Sequence, residues 1–256
     1  MSQSFRQPDI LEIARSEGKV MVEDLSERFD VTVQTIRRDL TALANAGKLE
    51  RVHGGAILPS GVRNIVYDER RRLNETAKTA IGRACAASIP EGSSVFLDIG
   101  TTTEAVAQAL LEHHNLMVVT NNLNVAHILA ANPDVEIVLA GGALRRADNG
   151  IVGHLTAQTI ENFRFDHAIL GCSALDADGD MLDFDIQEVL VGQTLMRRSR
   201  EVMLVADHSK FQRSAPVRIG SIRDVDHVFS DAPLPAWLTE RCDAWGTVVH
   251  HPPIMS

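Results

Sequence analysis

Five short apolar runs recur through the last two thirds of this 256-residue chain, and each ends on a small or polar residue. They are Val95-Phe96-Leu97-Asp98, Met117-Val118-Val119-Thr120, Ile137-Val138-Leu139-Ala140, Ala168-Ile169-Leu170-Gly171 and Val202-Met203-Leu204-Val205-Ala206. A strand wetted on one face alternates apolar and polar side chains; a strand apolar throughout is covered on both faces, the habit of parallel sheets flanked by helices. Helical patterns of uneven length separate the runs, so the spacing predicts a Rossmann-like α/β domain over 74–256 and no solenoid. A hydrophobic fraction of 45% supplies ample core and excludes disorder. No run reaches the ~18 apolar residues of a membrane helix, and residues 1–8 lack the apolar stretch of a signal peptide. Three scattered cysteines without a CxxC pair fit reduced thiols, so a cytoplasmic chain with no membrane partner is expected.

Ligands of open α/β sheets bind beyond the carboxyl ends of the strands. Those positions hold Asp98-Ile99-Gly100-Thr101-Thr102-Thr103, Asn121-Asn122, Gly141-Gly142, Cys172-Ser173 and Asp207-His208-Ser209-Lys210. The first loop leads into a helix expected over 104–111, so its backbone N–H groups and the hydroxyls of Thr101, Thr102 and Thr103 form an anion site. Lys210 supplies a point charge to the same phosphate. Asp98, Asn121 and Asn122 suit sugar or polyol hydroxyls, and Gly100, Gly141 and Gly142 allow close backbone approach. Any one such loop has an ordinary conformational explanation; five at five strand ends favour a small phosphorylated or hydroxylated ligand. Ten histidines show no HxxxH or HExxH spacing, and Gly171-Cys172-Ser173-Ala174-Leu175 is no nucleophile elbow. No metal, cofactor or catalytic residue is expected, and Cys172 lies near the ligand without being reactive.

The first sixty residues read differently. Ile10, Leu11, Ile13 and Ala14 fall at helical spacing before Gly18, and Val22, Leu25 and Phe29 mark a short second helix. Asp30-Val31-Thr32 makes a turn whose Thr32 caps a third helix with an apolar face of Val33, Ile36, Leu40, Leu43 and Ala44. Its opposite face carries Gln34, Thr35, Arg37, Arg38 and Thr41, and residues 48–58 alternate around Gly54-Gly55 as a hairpin. That order is a winged helix-turn-helix. Gln34, Arg37 and Arg38 are donors suited to base edges, and Thr35 to phosphate. An amphipathic surface helix explains the periodicity alone, but not its union with a three-residue turn and a wing.

The formal net charge of −9 argues against nucleic acid until it is placed. Residues 1–60 hold eight Lys/Arg and nine Asp/Glu, so 61–256 hold seventeen and twenty-five, a net of −8. Residues 34–53 come to +2, from Arg37, Arg38, Lys48 and Arg51 against Asp39 and Glu50. Local charge decides phosphate binding, since fields fade over about 8 Å in physiological salt. The boundaries expected are a DNA-binding domain over 1–58, a linker over 59–73 and a sensor over 74–256. The Arg70-Arg71-Arg72 run beside Asp68-Glu69 reads as a solvated, self-paired surface.

Thr35-Ile36-Arg37-Arg38-Asp39-Leu40 with His53-Gly54-Gly55-Ala56 resembles the signature of DeoR-type bacterial repressors, Val33 standing where that family usually has proline. The resemblance spans roughly 6–235. Asp98-Ile99-Gly100-Thr101-Thr102, Val119-Thr120-Asn121-Asn122, Leu139-Ala140-Gly141-Gly142 and Asp207-His208-Ser209-Lys210-Phe211 resemble the family's sensor domain, which is similar in fold to ribose-5-phosphate isomerase. It implies operator DNA read through Thr32, Gln34, Thr35, Arg37, Arg38 and Thr41, with Arg51 and His53 on the wing. It also implies a phosphorylated sugar or polyol effector. The matches Asn121-Asn122-Leu123-Asn124-Val125-Ala126 and Phe184-Asp185-Ile186-Gln187-Glu188-Val189 imply sn-glycerol 3-phosphate in particular, although Gly192-Gln193 replaces a common Lys-Arg pair.

A single module buries too little surface for ordinary operator affinity, so a homodimer or homotetramer is expected. The rival reading is a sugar-phosphate isomerase with a fused helical domain, its base drawn from Asp98, Asp207 or Glu188. An activator is a third reading.

Overall fold

The computed structural model describes residues 3–17, 19–45, 48–52, 54–57 and 67–251. Its first unit contains α1 (Gln3–Glu17), β1 (Lys19–Met21), α2 (Val22–Arg28), α3 (Val33–Asn45), β2 (Glu50–Val52) and β3 (Gly55–Ile57). Ile10, Ala14, Leu25, Ile36, Leu40 and Leu43 close one core, which puts the apolar stripe of α3 inward and its polar stripe in water. The Thr32 hydroxyl accepts from the Thr35 N–H at 3.3 Å and so caps α3. Strand β1 was not anticipated. It pairs antiparallel with β3, giving the sheet order β1-β3-β2. Gly55 answers to that pairing, because a Cβ there would meet the Val20 carbonyl oxygen at 2.0 Å.

The second unit follows in the order α4 (Tyr67–Arg72), α5 (Glu75–Ala87), β4 (Ser94–Leu97), α6 (Thr101–Ala109), β5 (Leu116–Thr120), α7 (Leu123–Leu129) and β6 (Val135–Leu139). Next come β7 (Ala143–Arg145), β8 (Gly150–Val152), α8 (His154–Glu161), β9 (Phe165–Leu170), β10 (Ala174–Leu175), β11 (Asp180–Asp183) and α9 (Ile186–Arg198). It closes with β12 (Ser199–Val205), β13 (Val217–Ser221), β14 (His227–Phe229), α10 (Ala236–Trp245) and β15 (Val248–His250). All five apolar runs lie in one seven-stranded parallel sheet ordered β15-β14-β12-β9-β4-β5-β6. Alternate residues serve opposite faces. Val95 and Leu97 join the core with Ile81 of α5 and Val106 of α6, while Phe96 joins Ile160 of α8 and Leu195 of α9.

The chain grows from β4 toward β6, then returns to place β9 on the other side of β4. The β4/β9 boundary is therefore the topological switch point, where an open sheet leaves a crevice. Asp98 and Gly171-Cys172 border it, and the Asp98 N–H donates to the Ile169 carbonyl at 3.1 Å.

Part of the expected linker is helical. Residues 58–66 lie outside the described residues, but 67–72 form α4, with Asp68 and Glu69 in its first turn and Arg70, Arg71 and Arg72 in its last. That arrangement opposes the helix dipole at both ends. Arg71 and Arg72 are exposed, as a solvated run requires; Arg70 is not, and points into the second unit.

Candidate functional site

The outward stripe of α3 is the first candidate surface. Gln34, Arg37, Arg38 and Thr41 are exposed and, with Ala42 and Asn45, line a shallow concavity of about 600 Å³. Thr32 is exposed, its hydroxyl 2.9 Å from that of Thr35. The Thr41 hydroxyl donates to the Arg37 carbonyl at 2.7 Å. Arg51 on β2 is exposed, and His53 lies outside the described residues. Asp39 does not offset these cations at the surface, because it is buried against Arg6 at 3.0 Å. The recognition stripe is more cationic than the sum over 34–53 implies.

The second candidate is the crevice at β4 and β9. Asp98 is buried and accepts from the Ile99 N–H at 2.8 Å, and burial pushes its carboxyl up to about 6. Gly100 begins α6, so the unpaired first-turn N–H groups of that helix open beside Asp98. Thr101 is half-buried and Thr102 buried at this end. Asn121 is fully buried, donates to the Ile151 carbonyl at 3.3 Å and bonds Asp98.

Three expected ligand groups are already committed to the fold. The Thr103 hydroxyl donates to the carbonyls of Asp98 and Gly100, both at 2.7 Å. Asn122 caps α7 by accepting from the Asn124 N–H at 2.9 Å, and its amide donates to Glu104 at 3.3 Å. Gly142 is set by α8, since a Cβ there would lie 2.2 Å from the Thr156 hydroxyl. Gly141 has open space around it.

Beyond β12, Asp207 anchors a 3-10 turn over His208–Gln212 by accepting from Ser209 N–H at 3.1 Å, and it accepts from Asn74 at 2.9 Å. Burial opposes its charge, yet Lys210, those two bonds and Lys78 hold its carboxyl down at about 2. That makes Asp207 too weak a base for the isomerase reading. Lys210 has company that sequence reasoning missed. Lys78 of α5, Arg70 of α4 and Arg213 act on it electrostatically or share Asp207 with it. Burial and these like charges bring Lys78 down to about 8 and lower Lys210 as well. Lys210, Lys78 and Arg213 thus share one carboxylate, Asp207, with Arg70 beside them on Asp148. No local motif announces them, because they come from two distant stretches of chain, 70–78 and 210–213.

A second cluster adjoins the first. Arg145 reaches Asp148, Asp185 and Glu188 at 2.7–2.8 Å, and burial with Asp183 nearby pushes Glu188 up to about 8. Cys172 lies between the clusters, sensing Lys210, Asp183, Asp207 and Arg213; burial raises its thiol to about 12, so it is inert. Gly192 is buried on α9, where a Cβ would meet Ile219 at 3.1 Å, and Gln193 donates to the Arg218 carbonyl at 3.3 Å. The departure from the Lys-Arg pair therefore lies against β13. Among the described residues no group of His, Cys, Asp and Glu is arranged for a metal, and no helix is long and apolar enough to cross a membrane.

The DeoR-like helix-turn-helix domain family matches residues 6–62, and the DeoR C terminal sensor domain family matches residues 73–232. The chain is 50% identical over 235 residues to the glycerol-3-phosphate regulon repressor of Escherichia coli (strain K12), spanning 92% of this chain and 93% of that one. It is 48% identical over 230 residues to the protein of that name in Haemophilus influenzae, spanning 90% of each. Among solved structures, ribose 5-phosphate isomerase A of Methanocaldococcus jannaschii is similar at 12% identity and a TM-score of 0.40, covering 54% of this chain and 55% of that one.

Proposed function

The chain belongs to the DeoR family, and on that premise we propose that it is a repressor released from its operator by a phosphorylated polyol, sn-glycerol 3-phosphate. It is a regulator and not an enzyme, in keeping with relatives that are named as repressors. The observation that carries the effector reading is the cation cluster around Asp207, which follows β12 in the same parallel sheet whose β4 leads into α6. Lys210, Lys78 and Arg213 all act on that one carboxylate, and they sit in a region whose net charge is −8. A dianionic phosphate supplies the missing charge.

Lys210 and Lys78 hold the phosphate as point charges, with Arg213 beside them and the N–H groups at Gly100–Thr102 completing the cradle. Asp98 and Asn121 receive the polyol hydroxyls. Gln34, Thr35, Arg37 and Arg38 read the operator half-site with Thr32 and Thr41 beside them, while Arg51 and His53 of the wing contact backbone or minor groove. A homodimer or homotetramer in the cytoplasm presents two such helices to half-sites ~34 Å apart or a multiple of it. The effector weakens DNA binding by favouring the arrangement whose helix spacing misfits the operator. Coupling of about 1–3 kcal/mol changes operator affinity about 5–150-fold, and DNA weakens the effector equally.

The test is an operator gel shift titrated with sn-glycerol 3-phosphate, glycerol and several sugar phosphates. Release by glycerol 3-phosphate alone is the expected result. Release by another sugar phosphate in its place reassigns the effector, and turnover of any of them restores the isomerase reading.

A further inference from the structure

We propose that Arg70, carried by α4 between the two domains, is a direct ligand of the effector phosphate, and that its transfer from Asp148 to that phosphate relays occupancy to the DNA-binding domain. The inference rests on the effector site proposed above.

The hold of Asp148 on Arg70 is a single contact, Nη2 to Oδ2 at 3.2 Å. Asp148 is meanwhile gripped by both forks of Arg145, at 2.9 Å through Nε and 2.7 Å through Nη2, and accepts from the Gly150 N–H at 3.3 Å. Arg70 can therefore leave without stranding a buried carboxylate, whereas Arg145 cannot. The Nε of Arg70 is buried and has no hydrogen-bond partner among the described residues. A buried donor without an acceptor is costly, and a phosphate oxygen is the acceptor that such a fork fits best. The other neighbours that Arg70 senses include Lys78, Lys210 and Arg213, all of its own sign. An anion entering among them, in addition to Asp207, turns that repulsion into attraction.

The helix that carries Arg70 is tied at both ends. Tyr67 donates to Glu104 at 2.7 Å and accepts from Asn124 at 2.9 Å, while Lys78 donates to the carbonyls of Arg70 and Leu73. Lys78 is thus shared between the closing carbonyls of α4 and the cation cluster. The other side of α4 faces the DNA-binding domain. Glu69, Arg72 and Leu73 look across a cleft of about 670 Å³ at Gln7, Leu11 and Glu12 of α1. Helix α1 also lies against the 3-10 turn that bears Lys210, and reaches α3 through the Arg6–Asp39 pair. A shift of α4 toward the phosphate thus reaches the recognition helix through α1.

The experiment uses the full-length protein with Arg70→Ala, Arg70→Lys and Lys210→Ala, and reads operator binding, sn-glycerol 3-phosphate affinity by calorimetry, and operator release. Arg70→Ala is expected to bind operator within about twofold of wild type. It should bind glycerol 3-phosphate about ten- to a hundredfold more weakly, with release displaced by the same factor, and Arg70→Lys should fall between. Competition by inorganic phosphate should weaken in parallel. Wild-type affinity for glycerol 3-phosphate in Arg70→Ala, beside a loss in Lys210→Ala, overturns the Arg70 assignment alone. Wild-type affinity in both overturns the effector site itself. Should Arg70→Ala fail to fold, Arg70→Lys decides: unchanged affinity and unchanged release there overturn the proposal.

Discussion

Arg6 of α1 donates to Asp39 of α3 at 3.0 Å, and both side chains are buried. A buried pair is worth little against an apolar substitute, but removing one partner strands the other charge, at about 3–5 kcal/mol. Arg6→Ala should therefore lower the unfolding free energy of the DNA-binding domain by that amount in a denaturant titration. Arg6→Met with Asp39→Leu should recover most of it. A loss below about 1 kcal/mol in the single variant shows that water already reaches the pair.

Arg37 stands on the exposed stripe of α3 with no structural task in the core. Arg37→Ala should weaken operator binding by about 1–3 kcal/mol and relax the base preference at one position, with the melting temperature unchanged. A gel-shift series over single-base operator variants measures both. Equal affinity for every variant in wild type and mutant alike removes Arg37 from base readout.

Lys210→Ala should leave operator affinity intact and abolish release by glycerol 3-phosphate, because it removes a cation from the centre of the cluster. Release at the wild-type concentration rules Lys210 out as the phosphate ligand.

Effector affinity should depend on pH in a definite direction. Burial and neighbouring cations place Lys78 at about 8, while burial places Glu188 at about 8 and Asp98 at about 6. As pH rises from 6 to 9, Lys78 loses its charge and both carboxyls gain one, and each change repels an anion. Below about pH 6 the phosphate monoester takes up its second proton and weakens as a ligand. Affinity should peak between about pH 6 and 7.5, and Glu188→Gln should flatten the alkaline limb. Calorimetry across that range checks this; a flat profile from 7 to 9 means that these groups do not face the phosphate.

Gly142→Ala separates packing from ligand contact at one of the expected effector positions. The added methyl would lie 2.2 Å from the Thr156 hydroxyl and 3.0 Å from the Val152 carbonyl. A destabilisation of about 1–3 kcal/mol is expected, read as a lower melting temperature, with glycerol 3-phosphate affinity preserved. Lost affinity at unchanged stability reverses the assignment.

The parallel sheet was legible because strands buried on two faces must be apolar throughout, and the recognition helix because its stripe and cap are local. Strands β1, β14 and β15 have three residues each, too few for any period to register. The carboxyl-end loops were legible as a place, since Asp98 and Lys210 each follow an apolar run. What those loops do was less so: Thr103, Asn122 and Gly142 have the right chemistry for a ligand, and only their partners show that the fold already uses them. The reverse holds for Lys78, an unremarked residue in an amphipathic helix until the turns at Leu73 and Asp207 converge on it.

The anchorage of α4 also decides where this regulator can be divided and recombined. Tyr67 and Arg70 lie ahead of the sheet in sequence, yet their hydroxyl and guanidinium are bonded into the domain built on it, at Glu104 of α6 and at Asp148 between β7 and β8. A chimaera that grafts a foreign DNA-reading head at residue 74 would discard both anchors and inherit a sensor with an incomplete wall. The portable cassette begins at or before Tyr67, and hybrids joined upstream of that residue are the ones that should keep their response to the effector.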